Sequence, residues 1–484
     1  MAVQLRRPIL VGGIALSFGL WLLETVHQSV AEWGEVGLLG AIALGSGVWL
    51  FQKRGSSSAE LSVISSPLDR ATVEEAIAQA EVAISRLEIE VENPDSSTSL
   101  RQQVNQLTSQ LDRQELQLLV TGGKGVGKSC LVHVLNSNGL SEQFPTVSVN
   151  ETTALFPGDR TQEMIPNSDL ILFVITSDLT DSEFQLLQHL KTLNQRLLLI
   201  FNKQDQYLPP ERVLVLQQLR HRLAQLFPPE DIIAIAASPT PVKVRQHQSD
   251  GSVKEWLEAQ TPDVTALTQR LQPILTEDAQ QLIWGTTLRS AISLKAEAKT
   301  ALNQARRDRA LPLIEQYQWI TAATAFANPV PALDLLATAA ISSQLVIELA
   351  GIYQQKFSLS QAQSAAKTLG SLMVKLGLVE LCTQTIGGIL KSNAFTYIAG
   401  GAVQGVSAAY LTRLAGLSLI EYFQDQEISE PTATDQPLNL DRLKEKLQTV
   451  FQQNQRTAFL QGFVQQAVKR LRLNSAQPEP SRLS

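Results

Sequence analysis

Leu116-Gln-Leu-Leu-Val-Thr-Gly-Gly-Lys-Gly-Val-Gly-Lys-Ser129 joins an apolar run to the pattern G-x-x-x-x-G-K-[ST] without a break. Leu116 to Val120 reads as a buried strand and Cys130 to Leu135 as an amphipathic helix, so the glycine-rich turn lies where strand passes into helix. A turn in that place aims successive backbone N–H groups at one point beside a helix N-terminus, which is an anion site. Glycines at 122, 123, 125 and 127 permit the dihedrals that a Cβ disfavours. Gly122, Gly123, Lys124, Gly125, Val126, Gly127, Lys128, Ser129 and Cys130 are therefore the expected cradle of a nucleoside triphosphate. Lys128 reaches the β- and γ-phosphates as the phosphate-stabilising catalytic group, and the Ser129 hydroxyl is the expected Mg²⁺ ligand. The competing reading is a glycine-rich turn that binds nothing.

A second apolar strand, Arg196 to Phe201, runs into Asn202-Lys203-Gln204-Asp205, the N-K-x-D pattern of guanine-nucleotide-binding proteins. A carboxylate such as Asp205 accepts from guanine N1–H and the exocyclic amine together, a donor pair that adenine lacks. Asn202 is expected to brace the loops, and Lys203 to lay its aliphatic stem along the base. A third strand, Asp231 to Ala236, ends in Ala237-Ser238, a degenerate match to the Ser-Ala-Lys loop that borders guanine. Four polar residues in a turn are weak evidence alone. Their place at the C-terminal end of a strand, where doubly wound sheets bind ligands, strengthens them.

With these segments in order, the region from about Glu115 to Val242 resembles a Ras-like GTPase domain of the Era/TrmE type. The remainder resembles GTPases that carry a YcjF-type C-terminal helical domain of unknown function. That second likeness rests on Asn328-Pro-Val-Pro-Ala-Leu-Asp334, the apolar stretch to Tyr353, Ala399-Gly-Gly-Ala-Val-Gln-Gly405 and Tyr410-Leu-Thr-Arg413. The resemblance implies GTP/GDP and Mg²⁺ as cofactors. It also implies an α/β P-loop GTPase domain, mostly parallel, doubly wound and with a shortened switch region, followed by an all-α domain.

Departures from the family pattern bear on hydrolysis. Relatives place Asp-x-x-Gly after their third strand, where the Asp holds a Mg²⁺-bound water. The nearest match here is Leu155-Phe156-Pro157-Gly158, with Asp159 or Glu151 as substitutes in a shifted loop. The interval before the strand Asp169 to Ile175 leaves room for one strand, Thr146 to Phe156, where relatives have two. Thr146, Thr152 and Thr153 compete for the role of switch threonine, and each is also an ordinary β-strand residue. No glutamine follows Gly158, so the water-positioning residue is unknown and slow turnover is expected. Gly125 and its neighbours stand where potassium-activated relatives carry asparagine, so no potassium dependence is expected. Arg160 and the Arg306-Arg307 pair are candidates for a finger supplied in trans, against the simpler reading as solvated helix charges.

Residues 1–54 contain two apolar stretches, Pro8 to Leu23 and Val36 to Phe51, with Trp21, Trp33 and Trp49 near their ends. They read as a transmembrane helical hairpin. Arg6-Arg7 and Lys53-Arg54 flank it, and the connector holds Glu24, Glu32 and Glu35, so both ends and the nucleotide domain are expected to face the cytoplasm. A signal peptide ending near Ser29-Val30-Ala31 and a buried hairpin are the alternatives. A linker with amphipathic helices follows over 55–114, opened by a Thr72-x-x-Glu75 capping box, with Val73, Ala76, Ile77, Ala80, Ile84, Leu87 and Val91 on one face. These helices either pack on the nucleotide domain or form a short neck.

The GTP-binding domain is expected over 115–260, the helical domain over 261–473 and a disordered tail over 474–484. After Pro241 the pattern reads as helical throughout, punctuated at Pro312, Asn328-Pro329, the Gly370 to Gly388 zone and Glu430-Pro431. Leu333 to Tyr353, Leu369 to Leu390 and Ala394 to Phe423 are apolar enough to raise membrane insertion, but Asp334, Glu348, Lys375, Glu380 and Arg413 favour a bundle. Small residues such as Gly370, Gly388 and Gly416 allow helices to approach closely.

A net charge of −6 argues against nucleic acid as a partner. Two cysteines, Cys130 and Cys382, give no disulfide framework, and the five histidines lack metal-ligand spacing. The expected partners are a guanine nucleotide, a lipid bilayer and a protein read by the helical domain, with a second copy of the chain left open. The combined expectation is a membrane-anchored GTPase switch of low intrinsic rate. A non-hydrolysing GTP-dependent scaffold is the alternative, and a membrane-remodelling mechanoenzyme stands behind it.

Overall fold

The computed structural model describes residues 68–91, 94–137, 144, 146–152, 168–247, 253–327, 331–392, 400–425, 439–454 and 460–467. They divide into two compact units, the first holding Leu111–Ser290 with residues 68–70, the second Ala71–Gln110 with residues from Ala291 onward. The N-terminal apolar stretches and the tail from residue 474 lie outside the described residues.

Among the described residues two helices come first, α1 (Arg70–Glu90) and α2 (Pro94–Gln110). α1 buries Val73, Ile77, Ala80, Ala83, Ile84 and Leu87, a stripe at helical spacing. It starts ahead of Thr72, so Thr72 and Glu75 lie inside the helix and do not cap it. Pro94 opens α2, where its missing N–H leaves no intrahelical bond unmade. From Ala71 onward both helices belong to the second unit.

The first unit runs β1 (Leu116–Gly122), α3 (Lys128–Ser137), β2 (Val147–Glu151), β3 (Leu170–Ile175), α4 (Asp181–Thr192), β4 (Leu197–Phe201), α5 (Pro209–Arg222), β5 (Ile232–Ala234), β6 (Val242–His247), β7 (Val253–Glu258) and α6 (Thr265–Thr276). β1 to β5 form one sheet in the order β2-β1-β3-β4-β5, with every pairing parallel. Continuous apolar runs such as Leu170–Ile175 and Leu197–Phe201 are buried on both faces, as a parallel sheet covered by helices requires. Alternation sorts them. Leu118, Val120, Leu172, Val174, Leu198 and Ile200 join Leu131, Leu135, Leu267 and Leu271 of α3 and α6 on one face. Leu119, Ile171, Phe173, Leu199 and Phe201 join Leu187, Leu190, Leu219 and Leu223 on the other. The strand order reverses between β1 and β3, so the turn after β1 opens at a topological switch point.

Among the described residues a single strand, β2, lies between α3 and β3, in keeping with the shortened interval. It stops at Glu151, well short of Phe156. Thr153, Leu155 to Gly158, Asp159 and Arg160 lie outside the described residues.

The segment after Pro241 differs from the helical expectation. β6 and β7 pair as an antiparallel hairpin, Val244 opposite Trp256, that leaves most of both strands exposed. Lys243 and Arg245 both pair with Glu255 across the hairpin. Val242 and Val244 alternate with Lys243 and Arg245, a period of two that fits a strand, and β-branched residues favour it over helix.

α7 (Ala279–Ala327) begins in the first unit and continues into the second. It runs through Pro312, where a chain break was expected. An interior proline costs about 3 kcal/mol, and the full burial of Ala310 and Ile314 on either side supplies compensating contacts. The second unit continues with α8 (Pro331–Ile352), α9 (Leu359–Lys375), α10 (Leu378–Ser392), α11 (Gly400–Gln424) and α12 (Leu440–Asn454). α9 ends at Gly377, which has φ +68°. Ile314, Leu349, Ala362, Ile386, Ala409, Leu414 and Leu447 lie within one core. Glu348, which looked costly in an apolar helix, accepts a hydrogen bond from Tyr317 Oη at 2.7 Å.

Glu90 at the end of α1 is buried against Arg306 of α7 and also pairs with Arg309. Among the described residues no single helix is long and apolar enough to cross a membrane. α9 with α10 passes on length and composition only as a pair bent by 67°.

Candidate functional site

The turn after β1 owes its shape to two crowded glycines. Gly122 (φ +150°) passes so close to β3 that a Cβ would stand 2.2 Å from the Val174 carbonyl oxygen. At Gly127 (φ +95°) a Cβ would meet Asn202 Nδ2 at 2.3 Å. Only glycine fits either place. Lys128 is the first residue of α3 and is largely buried, and its Nζ donates to the carbonyls of Gly122 at 3.1 Å and Gly123 at 2.8 Å. Burial lowers the Lys128 pKa, and the nearby Glu151 carboxylate works in the opposite sense. The side chains of Lys124 and Cys130 are exposed. Val126 is buried under the turn.

Ser129 Oγ donates to Glu151 Oε1 at 2.8 Å. β2 ends at Glu151 beside β1, which carries this carboxylate to the first turn of α3. A hydroxyl and a carboxylate are hard oxygen donors, and Mg²⁺ is held by one or two such groups together with substrate phosphates. The pair therefore fits the ion that the fold implies. Of the substitutes for the missing Asp-x-x-Gly carboxylate, Glu151 is the described one, and it reaches Ser129. Thr152 is buried, its Oγ1 bonded to Thr121 Oγ1 at 2.8 Å, which is the role of a strand residue. Thr146 lies exposed ahead of β2, its carbonyl accepting from Leu116 N at 2.7 Å.

The loop after β4 begins at Asn202. This buried side chain donates from Nδ2 to Val126 O at 2.8 Å and accepts at Oδ1 from Ala237 N at 3.0 Å. One amide thus clamps the glycine-rich turn to the loop after β5. Lys203 sits in the left-handed region (φ 60°) and donates from Nζ to Gly125 O at 2.8 Å, adding a second tie. Asp205 Oδ2 accepts from Thr240 N at 2.9 Å and Thr240 Oγ1 at 3.2 Å. Its Oδ1 is buried and accepts no hydrogen bond among the described residues. Ala237 is buried at the clamp and Ser238 is exposed. Thr240 did not stand out in the sequence. The signal for it was a hydroxyl donor shortly after Ala237-Ser238, in the loop that had to face Asp205.

The structure brings Gly122 to Ser129, Glu151, Asn202, Lys203, Asp205 and Ala237 to the C-terminal edge of one sheet. Arg306 is buried against Glu90 and Arg307 is bonded to Glu421, both within the helical unit.

No curated protein matches the chain. Among solved structures, the LeoA bacterial dynamin GTPase from ETEC aligns at 12% identity and TM-score 0.24, covering 83% of this chain and 94% of its own. An oligomerised bacterial dynamin pair, described as sensing and tethering membranes at long range, aligns at 14% identity and TM-score 0.23, covering 82% of this chain and 79% of its own. At those scores the fold rests on the sheet order and loops themselves. The helical region is placed by sequence: residues 289–456 match the family model DUF697, a domain of unknown function found in YcjF-like GTPase proteins.

Proposed function

We propose that this chain is a guanine-nucleotide-binding protein of the Ras-like, Era/TrmE type, whose GTP state is coupled to its helical domain and whose intrinsic hydrolysis is slow. The observation that carries this reading is Asn202. Its side chain holds Val126 of the glycine-rich turn and Ala237 of the loop after β5 at once, so the segments read here as serving phosphates and base are fastened together. In this reading the backbone of residues 122–129 binds the phosphates, with Lys128 neutralising their charge. Mg²⁺, held at Ser129 with Glu151 beside it, neutralises phosphate charge when bound. Asp205 reads the base.

The test is equilibrium binding of GTP, GDP and ATP to wild type, Lys128→Ala and Asp205→Asn. GTP and GDP are expected to bind at least about 100-fold more tightly than ATP, with both variants weakened for GTP. Equal affinity for ATP and GTP would remove the guanine assignment, and normal binding by Lys128→Ala would remove the phosphate assignment.

A second reading, a scaffold that binds GTP without turning it over, draws support from the Ser129–Glu151 bond. The glutamate is one methylene longer than the aspartate relatives use, and it reaches the serine hydroxyl directly. Single-turnover hydrolysis separates the two, since a rate at background with Mg²⁺ and membranes present leaves the scaffold. Residues 1–54 supply the proposed membrane hairpin, with the nucleotide and helical domains on the cytoplasmic side. Loss of membrane fractionation on deleting residues 1–55 is the expected outcome.

A further inference from the structure

We propose that β7 is the contact strand of a two-fold dimer, in which a second copy of this chain adds its own β7 antiparallel to the open edge, with Trp256 opposite Trp256 at the centre. The inference is independent of the nucleotide reading above.

β6 and β7 make a sheet that no third strand joins among the described residues. Val244 is half-buried, and every other residue of the two strands is exposed. A two-stranded ribbon open on both faces is marginal in water, and further strands stabilise it. Directly paired residues of an antiparallel ladder point the same way, so Val242, Val244 and Trp256 share a face with Gln246, Lys254 and Glu258. On the opposite face the charges are matched within the hairpin, where Lys243 and Arg245 both pair with Glu255. Lys254 and Glu258, which bracket Trp256 on its own face, take part in no ion pair among the described residues.

A two-fold axis normal to a sheet maps each face onto itself, so one residue of the contact strand lies opposite its own copy. Each choice of that residue is a register, and charge decides among them. Centring on Lys254, Glu255 or Glu258 sets like charges directly opposite, which destabilises the pairing. Centring on Val253 leaves most of the strand without an opposite, and centring on Leu257 sets Trp256 against the second copy's Glu258. Centred on Trp256, Lys254 stands opposite the second copy's Glu258, and the same contact recurs across the axis. The tryptophans meet between these pairs. Because Val244 is opposite Trp256 within the hairpin, the two residues and their copies form one apolar row across four strands. The edge of β6 has no such option, since Val242–His247 carries Lys243 and Arg245 and no acid, and cations on an edge discourage further pairing.

The experiment is analytical ultracentrifugation of the full chain in detergent over a concentration series. It compares wild type, Lys254→Glu, Glu258→Lys, the double reversal, and an equimolar mixture of the two single variants. A contact of one short strand fits a dissociation constant on the order of micromolar. Each single reversal turns both Lys–Glu contacts into like-charge contacts, so self-association is expected to weaken by about 10- to 100-fold. The double reversal restores both contacts. So does the mixture, where a chain acidic at both positions meets a chain basic at both, and each is expected to associate within about threefold of wild type. Wild type that stays monomeric to about 100 µM overturns the proposal and leaves the hairpin to a partner of another kind. A dimer that both single reversals leave intact lies on a different surface, which also overturns it. Single reversals that weaken association without rescue by the double reversal or the mixture overturn the pairing centred on Trp256. Both positions are exposed, and the wild-type series depends on no variant.

Discussion

The Ser129 hydroxyl and the Glu151 carboxylate meet at 2.8 Å, joining the start of α3 to the end of β2. β2 is parallel to β1 and ends level with Val120, so Glu151 approaches α3 from the strand beside it. The distance from residue 129 to residue 151 along the chain hides this neighbourhood from a local reading.

Glu151→Gln keeps the side-chain shape and removes its charge. If Ser129 and Glu151 serve one Mg²⁺, the gain in GTP affinity on adding Mg²⁺ should shrink by about 10- to 100-fold. GTP affinity in Mg²⁺ compared with EDTA measures this. A variant with wild-type Mg²⁺ dependence would show that Glu151 has no part in the ion site.

Gly127 and Gly125 both have positive φ, but only Gly127 has a neighbour where its Cβ would go. Gly125→Ala should cost about 1–2 kcal/mol for the left-handed backbone alone. Gly127→Ala must in addition displace Asn202 from its bonds to Val126 and Ala237. Thermal unfolding should rank Gly127→Ala as the less stable variant, and nucleotide affinity should fall further for it than for Gly125→Ala.

Glu90 is a buried carboxylate shared by two guanidinium groups. Burial pushes its pKa up, and the hydrogen bond and charge of Arg306, followed by those of Arg309, outweigh that and hold it below the ordinary glutamate value. A depressed carboxylate stabilises the fold above its unfolded-state pKa, and that contribution disappears as pH falls through the folded-state value. Glu90→Ala strands the buried Arg306 and should cost about 3–5 kcal/mol. Urea unfolding at neutral pH should show that loss, and the gap between wild type and variant should narrow in acid.

Gly416 of α11 lies against Ile314 of α7, and a Cβ there would stand 2.6 Å from the isoleucine side chain. Replacing glycine in a helix by alanine normally gains about 1 kcal/mol. Here overpacking should reverse the sign, with Gly416→Val losing about 1–3 kcal/mol. Gly370→Ala, with open space around it, should be neutral or stabilising when measured by the same unfolding assay.

The parts of the fold legible in sequence were those written in contiguous residues. β3 and β4 are unbroken apolar runs, β1 is apolar apart from Gln117 and Thr121, and the glycine-rich turn and Asn202 to Asp205 are short motifs at strand ends. The hairpin of β6 and β7 was missed because six-residue strands with charges between apolar positions look like a solvated helix unless alternation is counted first. Pro312 was read as a stop because local chemistry says so, and the core around Ile314 decides otherwise. Thr240 escaped notice because its partner lies 35 residues away, and no periodicity reports such a contact. Glu151 was one candidate among several until β2 showed which carboxylate reaches Ser129.

Asn202 has one further implication. A nucleotide bound here would touch, at its two ends, loops that share a single fastener, so neither end can let go privately. A base that fits poorly should shorten the residence time of the whole molecule, and a lost terminal phosphate should be felt where the purine sits. The pocket then behaves as one latch with two handles.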